Sequence, residues 1–445
     1  MTRGGLALPL LLFSIPLVLS GLLQQLFNWA DALIVGNVEG ELALAAVSVA
    51  ATIPAVLVLV ITGLTSGLGI LCAQLFGRQE CGALEKVLSS FVILVGGLCL
   101  AVGFAGSIFA DEILRVIDTS ADMFVTAEEY LRICLLGTGF VGIYNVYAAV
   151  LRGCGDSKAA FFSICVASVV NVGLDLLFVA MLGWGAAGAA WATVISQGMM
   201  TGFIILYTGK KYPWLRVRLS RNGMDRQAVR HGLGLGLPLA TQYSIKSVGN
   251  MVLQRFMNGF DSQTVAAITT AYRIDTVLML PVMNLATGIA TAVAQNTGVG
   301  NVARAKRSFY IGTAVVTITC VLLTIFVLVF GRGMLALFGI STGAVEIGMD
   351  FFKSIARFYL LFGFCMVARS YLEGCGDVKF ASAASVLMLL VRIAMSLWVG
   401  QRMGSEIFAI AESVSWGVLL ALCAARYLWL DRQKGRGTTL GMERD

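Results

Sequence analysis

The sequence predicts an all-α polytopic membrane protein with 12 transmembrane helices in two related six-helix bundles, and three observations carry this prediction. First, 58% of the 445 residues are hydrophobic, 13% are charged and the mean hydropathy is +0.86, whereas about 25% of the residues of a soluble domain are charged. Second, the apolar segments are long enough to cross a bilayer, where a helix satisfies its own backbone groups. Third, the second half of the chain repeats motifs of the first half.

The apolar segments set the positions of the spans. Each segment is about 20 residues or longer, as a membrane-crossing helix requires, and the six prolines of the chain leave room for long helices. The twelve predicted spans lie near 10–36, 43–76, 87–110, 124–150, 158–182, 185–208, 233–259, 264–297, 308–331, 351–371, 379–400 and 407–430.

Lysine and arginine are unevenly distributed among the predicted loops. They concentrate at the termini and in the even-numbered connections, whereas the opposite loops carry four, Arg115, Arg332, Lys353 and Arg402. Because basic residues of short loops stay in the cytoplasm, we expect a multi-pass protein of the cell (inner) membrane with both termini cytoplasmic. The net charge of +7 then reflects topology. It requires no nucleic-acid partner and is compatible with anionic membrane lipids.

An internal repeat divides the chain into halves. The segment 151–158, LRGCGDSK, recurs at 372–379 as LEGCGDVK, and a nearly equal offset relates Pro16 to Pro238. Six spans in each half make both halves enter the membrane in the same direction, with an axis along the membrane normal. The predicted domains are an N-lobe (1–208, spans 1–6), a basic cytoplasmic linker (209–232), a C-lobe (233–430, spans 7–12) and a cytoplasmic tail (431–445). This arrangement favours a carrier over a channel.

Two polar faces in the N-terminal half carry its chemistry. Asn171 and Asp175 are four residues apart and share a helix face, while Gln24, Asn28 and Asp31 form a second polar face in the first span. Ionisable groups within a span indicate a functional site. If the two faces meet, their oxygen ligands suit a hard cation or a shared proton, so the residues leave Na⁺ and H⁺ open. The alternative is that the acids only form interhelical hydrogen bonds.

Bases replace the acids in the C-terminal half. The repeat places Arg392 and Ser396 where the first half has Asn171 and Asp175. Further polar residues lie in two other spans of this half. The seventh span carries a helical stripe of Gln242, Lys246, Asn250 and Gln254, and the eighth carries Arg273 and Asp275. Two interpretations remain. These groups line a central cleft and bind polar or anionic parts of a substrate, or they form an internal salt-bridge network in which Asp275 pairs with one of the bases.

The sequence offers little material for an enzyme. The chain has one histidine, and no Cys-x-x-Cys pair occurs among its ten cysteines, so zinc and haem sites are not expected. The two Gly-Cys-Gly-Asp turns lie in short basic loops at helix starts. There Asp156 and Asp377 are predicted to be helix N-caps rather than intramembrane protease acids. We therefore predict no enzyme activity, no cofactor and no metal other than a coupling ion, with Na⁺ possible at Asp31 and Asp175.

Several motifs together resemble the multidrug and toxic compound extrusion (MATE) transporters, in particular their prokaryotic DinF-like branch. The resemblance covers nearly the whole chain and rests on motifs in the first, second, fifth and sixth spans and in the turn before the fifth. They are Pro16, residues 28–36 (NWADALIVG), 74–77 (QLFG), the LRGCGD turn, 171–175 (NVGLD) and 185–188 (GAAG). It implies two bundles in a V-shaped fold, and export of amphipathic, usually cationic compounds in exchange for Na⁺ or H⁺.

The resemblance also implies a coupling-cation site. The family's site residues fall on Asp31, Asn171, Asp175 and Thr193 in this chain. The nearest residue to the family's asparagine of the fourth helix is Asn145, although its spacing from Asn171 differs from the family's. Pro16 matches the position where the family's first helix bends.

These inferences predict a secondary active exporter that works by alternating access and is coupled to inward H⁺ or Na⁺ movement. Its expected partners are small amphipathic organic substrates, zwitterionic or anionic if the C-lobe bases face the cleft, and the expected oligomeric state is a monomer. The alternative is a lipid-linked oligosaccharide or other lipid-headgroup flippase of the same superfamily, whose pyrophosphate headgroups would suit the C-lobe bases.

Overall fold

Helices form every regular element in the part of the chain that the computed structural model describes, which is residues 2, 4–217 and 224–435. In chain order they are α1 Ala7–Glu39, α2 Glu41–Gly77, α3 Cys81–Phe91, α4 Gly97–Ile108, α5 Ala110–Val116, α6 Ala121–Leu136, α7 Thr138–Gly153, α8 Lys158–Asp175, α9 Gly185–Lys211, α10 Arg226–Met257, α11 Ser262–Gly298, α12 Val302–Ala336, α13 Thr342–Ala356, α14 Tyr359–Gly374, α15 Val378–Met403 and α16 Ile407–Gly435. Short π-helical segments, Val92–Gly96 and Leu176–Met181, join α3 to α4 and extend α8.

The predicted spans correspond to these helices. Within the described residues, nine helices are long and apolar enough to cross a membrane. The number is eleven if each of two bent pairs forms one span, α6 with α7 (42°) and α13 with α14 (51°). Each predicted span except the seventh has its counterpart among these, which confirms an all-α membrane protein.

The seventh predicted span, 233–259, forms the helix α10, but α10 is too polar to qualify by composition. The reason is the polar stripe along it, which includes Gln242, Lys246 and Gln254. The helix is 32 residues long, so its length suffices for a crossing.

Packing divides the chain into two compact units, Leu11–Ser244 (the N-unit) and Met1–Leu10 together with Ile245–Asp445 (the C-unit). The first helix of each repeat contributes to both units, because α1 changes unit after Leu10 and α10 changes unit after Ser244. The predicted boundary between the lobes is the linker 209–232, which precedes the change of unit after Ser244. The lobes themselves remain a prediction. Linker residues 218–223 and tail residues 436–445 lie outside the described part of the chain.

Small residues bring α10 close to α2 within the N-unit. A Cβ atom built on Gly67 would lie 2.4 Å from the carbonyl carbon of Leu235 and 2.5 Å from the Cα atom of Gly236. One turn away, a Cβ on Gly63 would lie 2.6 Å from the Cα atom of Ala240. These backbone-to-backbone contacts leave no room for a side chain, as at membrane helix crossings built on small residues. They explain why the first half of α10 packs with the N-unit.

The Gly-Cys-Gly-Asp turns join neighbouring helices through their aspartates. In the first turn Gly155 has a φ of 87°, and the buried Asp156 accepts hydrogen bonds from the Lys211 ammonium (2.8 Å) and the Tyr207 hydroxyl (3.0 Å). Asp156 Oδ1 also accepts from the backbone N–H of Ala159 at 3.4 Å, but the N-cap residue of α8 is Ser157, one residue later than predicted. The turn before α8 is thereby tied to the end of α9.

The second turn departs from the prediction. Asp377 is the N-cap residue of α15, but its side chain makes no capping hydrogen bond. Its Oδ2 instead accepts from the Nε of Arg426 at 2.7 Å. The arginine carries a full charge and is a stronger partner for a carboxylate than a backbone N–H group, so the aspartate ties the turn to α16.

Candidate functional site

The polar face of α1 presents three predicted site residues. Gln24 and Asn28 are exposed, while Asp31 is half-buried. The Oδ1 atom of Asp31 is fully buried and has no hydrogen-bond partner in the described structure. A carboxylate oxygen in this condition has lost its water without gaining a protein donor, which is costly unless a cation or a proton compensates it.

The second polar face lies at the end of α8. Asn171 is 1% exposed and Asp175 is 0% exposed, and the polar side-chain atoms of both residues lack hydrogen-bond partners among the described residues. The π-helical segment Leu176–Met181 begins directly after Asp175. Such segments are frequent at functional sites. The two residues therefore share a buried helix face, as their spacing predicts.

The two faces carry acids that lie near one another inside the N-unit. Asp31 and Asp175 lie close enough for their carboxyl groups to interact electrostatically. One residue of α6 joins this group: the buried Tyr130 lies within electrostatic range of both acids. We call Asp31, Tyr130, Asn171 and Asp175 the carboxylate chamber. Sequence reasoning missed Tyr130, although its spacing of four from Cys134 places both on one face of the predicted fourth span.

The carboxylate chamber contains acids without a matching base. Within the described residues, neither Asp31 nor Asp175 makes an ion pair with a lysine or an arginine. The oxygens of two carboxyls, an amide and a phenol suit a hard monovalent cation, and two neighbouring buried carboxyls also suit a shared proton. The arrangement can therefore hold one positive charge and release it.

Two further predicted cation ligands, Thr193 and Asn145, make no hydrogen bond to the acids of the carboxylate chamber in the described structure. Thr193 of α9 is half-buried, and its backbone carbonyl accepts from the Ser196 hydroxyl at 2.8 Å. The amide of Asn145 donates to the Val141 carbonyl of its own helix at 2.9 Å. Neither side chain is hydrogen-bonded to Asp31 or Asp175 in the described structure, so their roles as ligands remain predictions.

Pro16 lies inside α1, which continues through it without a break. The Ser20 hydroxyl donates to the Pro16 carbonyl at 2.7 Å. Proline has no N–H group, so the helix lacks one backbone hydrogen bond at this point and bends there more easily.

Charged groups form a second cluster in the C-unit. The Nη2 atom of Arg392 lies 3.1 Å from Glu412 Oε2 and donates to the Tyr272 hydroxyl at 3.0 Å. The guanidinium carbon also lies 5.4 Å from the centre of the Tyr272 ring, within the range of a cation–π contact. The acid that pairs with Arg392 is thus Glu412, which the sequence analysis did not single out. Its position near the start of the twelfth span gave no signal for this pairing.

Asp275 has a different partner. It is 6% exposed and accepts a hydrogen bond of 2.6 Å from the hydroxyl of Tyr359. Arg273, two residues earlier, is exposed and makes no ion pair or hydrogen bond within the described residues. The structure therefore places Asp275, but not Arg273, in the cluster.

The polar stripe of α10 is partly buried. Gln242 is 8% exposed and its Oε1 atom has no partner in the described structure. Lys246 and Asn250 are exposed on the same helix face. Lys246 lies within electrostatic range of Arg369, Arg392 and Glu412. The stripe thus brings one more base to the cluster of the C-unit.

Known proteins resemble this chain in sequence and in fold. A family model described as MatE matches residues 16–177 and 238–424. The probable multidrug resistance protein YpnP of Bacillus subtilis is 29% identical over 433 residues, which cover 95% of each chain. The FAD transporter of Shewanella oneidensis is 22% identical over 327 residues, or 72% of each chain. A solved structure, the outward-facing conformation of a multidrug resistance MATE family transporter of the MOP superfamily, matches with a TM-score of 0.88 at 22% identity over 96% of both chains.

Proposed function

Since the chain belongs to the MATE family of multidrug efflux transporters, we propose that it is a secondary active exporter of amphipathic organic compounds, coupled to inward movement of Na⁺ or H⁺ by alternating access. The family match confirms the resemblance, and members of the family are transporters rather than enzymes. One observation carries the proposal: the carboxylate chamber buries Asp175 without a hydrogen-bond partner or a base in the described structure. This is what a site for a mobile cation requires.

The coupling step follows from the charge of the carboxylate chamber. Empty, it holds two acids that repel one another, and a cation or proton bound at Asp31 and Asp175 relieves this repulsion. The ion therefore stabilises the conformer in which the chamber is most compact. A substrate that stabilises the opposite conformer is exchanged for the ion, and the two need not compete for the same atoms.

The remaining site residues take roles in the same cycle. Asn171 and Thr193 contribute oxygen ligands, and Asn145 is a more distant candidate. Pro16 permits α1, which carries Asp31, to bend when the occupancy of the site changes. The proposed substrate residues are those predicted from the sequence, although Arg273 lies outside the charged cluster of the C-unit. They are Gln24, Asn28, Gln242, Lys246, Asn250, Arg273, Asp275 and Arg392.

We also propose a location and an organisation for the protein. Its basic loops orient it in the inner membrane with both termini cytoplasmic. The chain is organised as the N-lobe, linker, C-lobe and tail predicted from the repeat. It works as a monomer, uses no cofactor and belongs to the DinF-like branch, as the resemblance of its motifs implies.

Transport by purified protein in liposomes tests this function. We expect a cationic dye such as ethidium, or a zwitterionic or anionic solute, to move against its gradient when either a Na⁺ or a pH gradient is imposed. The Asp175→Asn variant should fold normally, because its carboxyl makes no hydrogen bond that the change would break, and should lose gradient-driven transport. Asp118→Asn is the matched control, since it removes an exposed acid from a left-handed turn position (φ 53°) that asparagine also tolerates.

The outcomes separate the alternatives. Gradient-driven transport retained by Asp175→Asn would remove the carboxylate chamber from the coupling mechanism. If wild-type protein moves no solute under either gradient but exchanges a fluorescent polyprenyl-pyrophosphate lipid between leaflets, the protein is a lipid-headgroup flippase.

A further inference from the structure

Most charged groups of the C-unit cluster form ion pairs with one another, and one of them does not. Glu373 pairs with Arg369 (2.7 Å) and Glu412 with Arg392 (3.1 Å). Lys246 makes neither an ion pair nor a hydrogen bond within the described part of the chain. Each nearby acid is thus already engaged, and the charge of Lys246 is left without a partner of its own.

The surroundings of Lys246 increase the cost of its charge. Two of the three charged groups that act on it, Arg369 and Arg392, are bases, and the third, Glu412, is held by Arg392. Like charges at short range repel, and the repulsion is strong where little water screens it. Lys246 therefore does not stabilise the folded C-unit, and a structural role does not explain why a lysine is present.

The position of Lys246 along its helix points the same way. It lies at the middle of the predicted span 233–259, where a charged side chain is most costly in a bilayer and marks a functional site by default. Its side chain is exposed, as is that of Asn250 one turn later. A charged side chain at this depth is far less costly when it faces water than when it faces lipid. The exposed ammonium of Lys246 is thus a base that a polar ligand can reach.

We propose that Lys246 binds an anionic group of the transported molecule, so that the preferred substrates are amphipathic compounds with a phosphate or carboxylate group. The ammonium group supplies three donors and a positive charge, and the paired Arg369 and Arg392 add a positive field without being available for direct pairing. This inference rests on the proposed exporter function, and it names the substrate class.

Riboflavin and its 5′-phosphate, FMN, provide a matched pair of probes, because they share the flavin ring and differ in one phosphate. Binding to purified protein in detergent is followed by flavin fluorescence, and transport is followed in the liposomes described above. Wild-type protein should bind FMN more tightly than riboflavin. Lys246→Ala should raise the half-saturating FMN concentration about tenfold, as for the loss of one charge-assisted hydrogen bond, and leave riboflavin unchanged. Lys246→Arg should retain most of the preference.

Arg255→Ala is the matched control, since Arg255 is an exposed base nine residues further along α10, on the opposite side of the helix. It should leave FMN binding unchanged. Equal binding of FMN and riboflavin by wild-type protein, or an equal loss of FMN binding in Lys246→Ala and Arg255→Ala, would overturn the proposal. Because binding is measured without a gradient, protein that prefers FMN through Lys246 but transports nothing would contradict the exporter function and leave the anion site standing.

Discussion

Replacing Asp156 with asparagine tests how strongly the turn between α7 and α8 depends on one carboxylate. Asp156 Oδ2 accepts from Lys211 Nζ at 2.8 Å and from the hydroxyls of Tyr207 and Tyr212 at 3.0 Å each, and its side chain is 5% exposed. Asparagine has nearly the same shape and keeps one acceptor oxygen, so the variant loses the charge rather than the packing. Since α8 carries Asp175, the turn also fixes the start of the helix that contributes to the carboxylate chamber.

The expected cost follows from the contacts. A hydrogen bond to a charged group contributes about 1.5–3 kcal/mol to stability. The Lys211 side chain is 48% exposed, so solvent screening reduces the contribution of this pair, and we expect Asp156→Asn to cost about 1–2 kcal/mol. In a unit of this size each kcal/mol shifts Tm by about 2–4 °C. The apparent Tm of the purified protein in detergent should fall by a few degrees.

The pH dependence of this difference has a definite sign. Burial alone would raise the pKa of Asp156, but the hydrogen bond and charge of Lys211, with the hydroxyls of Tyr212 and Tyr207, hold the pKa below its ordinary value of 3.8. A carboxyl whose pKa is lowered by folding stabilises the protein above its unfolded pKa, and this stabilisation is lost as the pH falls through the folded pKa. The Tm difference between wild type and variant should be constant from about pH 5 to about pH 8 and shrink below about pH 4.

Asp377→Asn is the matched control in the other repeat. Asp377 accepts from Arg426 at 2.7 Å, its side chain is 20% exposed, and no tyrosine hydroxyl donates to it in the described structure. We expect a smaller loss of stability than in Asp156→Asn. An unchanged Tm for Asp156→Asn at pH 7, or a difference that grows as the pH falls, would refute the reasoning.

Three further predictions concern helix packing and coupling. Gly67→Val should separate α2 from α10, lower Tm by an overpacking cost of about 1–3 kcal/mol and reduce liposome transport, whereas Gly234→Ala, whose Cβ meets no atom within 4 Å, should do neither. Tyr130→Phe removes a hydroxyl from the carboxylate chamber. It should raise the ion concentration that half-saturates transport by about threefold to tenfold, and an unchanged ion dependence would remove Tyr130 from the site. Pro16→Ala restores a backbone N–H to α1. Slower transport at unchanged Tm is expected, and full transport rates would show that bending at this residue is not needed.

The carboxylate chamber shows what a sequence can predict in such a chain. The spacing of Asn171 and Asp175 fixes a common helix face, because 3.6 residues complete one turn whatever surrounds the helix. The same reasoning placed Asp31 on a polar face of α1. Long apolar segments have one stable conformation in a bilayer, so the helices themselves follow from composition, and even the more polar α10 was predicted as the span 233–259.

Partners on other helices were harder to predict, because helix periodicity gives the direction of a side chain but not the helix it faces. Tyr130 is a residue of ordinary appearance in the fourth span, and its electrostatic contact with Asp31 depends on how α6 is placed within the N-unit. Glu412 gave no signal either. The sequence offered Asp275 as the acid for the C-unit bases, whereas in the structure Arg392 pairs with Glu412 and Asp275 accepts from a tyrosine.

The two repeats differ in charge at equivalent positions, with an amide and an acid in the first half and a base and a hydroxyl in the second. The offset of 221 relates Asn171 to Arg392 and Asp175 to Ser396, and Ser396, like Asp175, is buried. Arg392 neutralises its own acid and needs no mobile ion, so the equivalent site of the C-unit is closed by a fixed pair. In the mechanism that we propose, this fixed pair confines ion coupling to the N-unit and leaves the nearby Lys246 to contact the substrate.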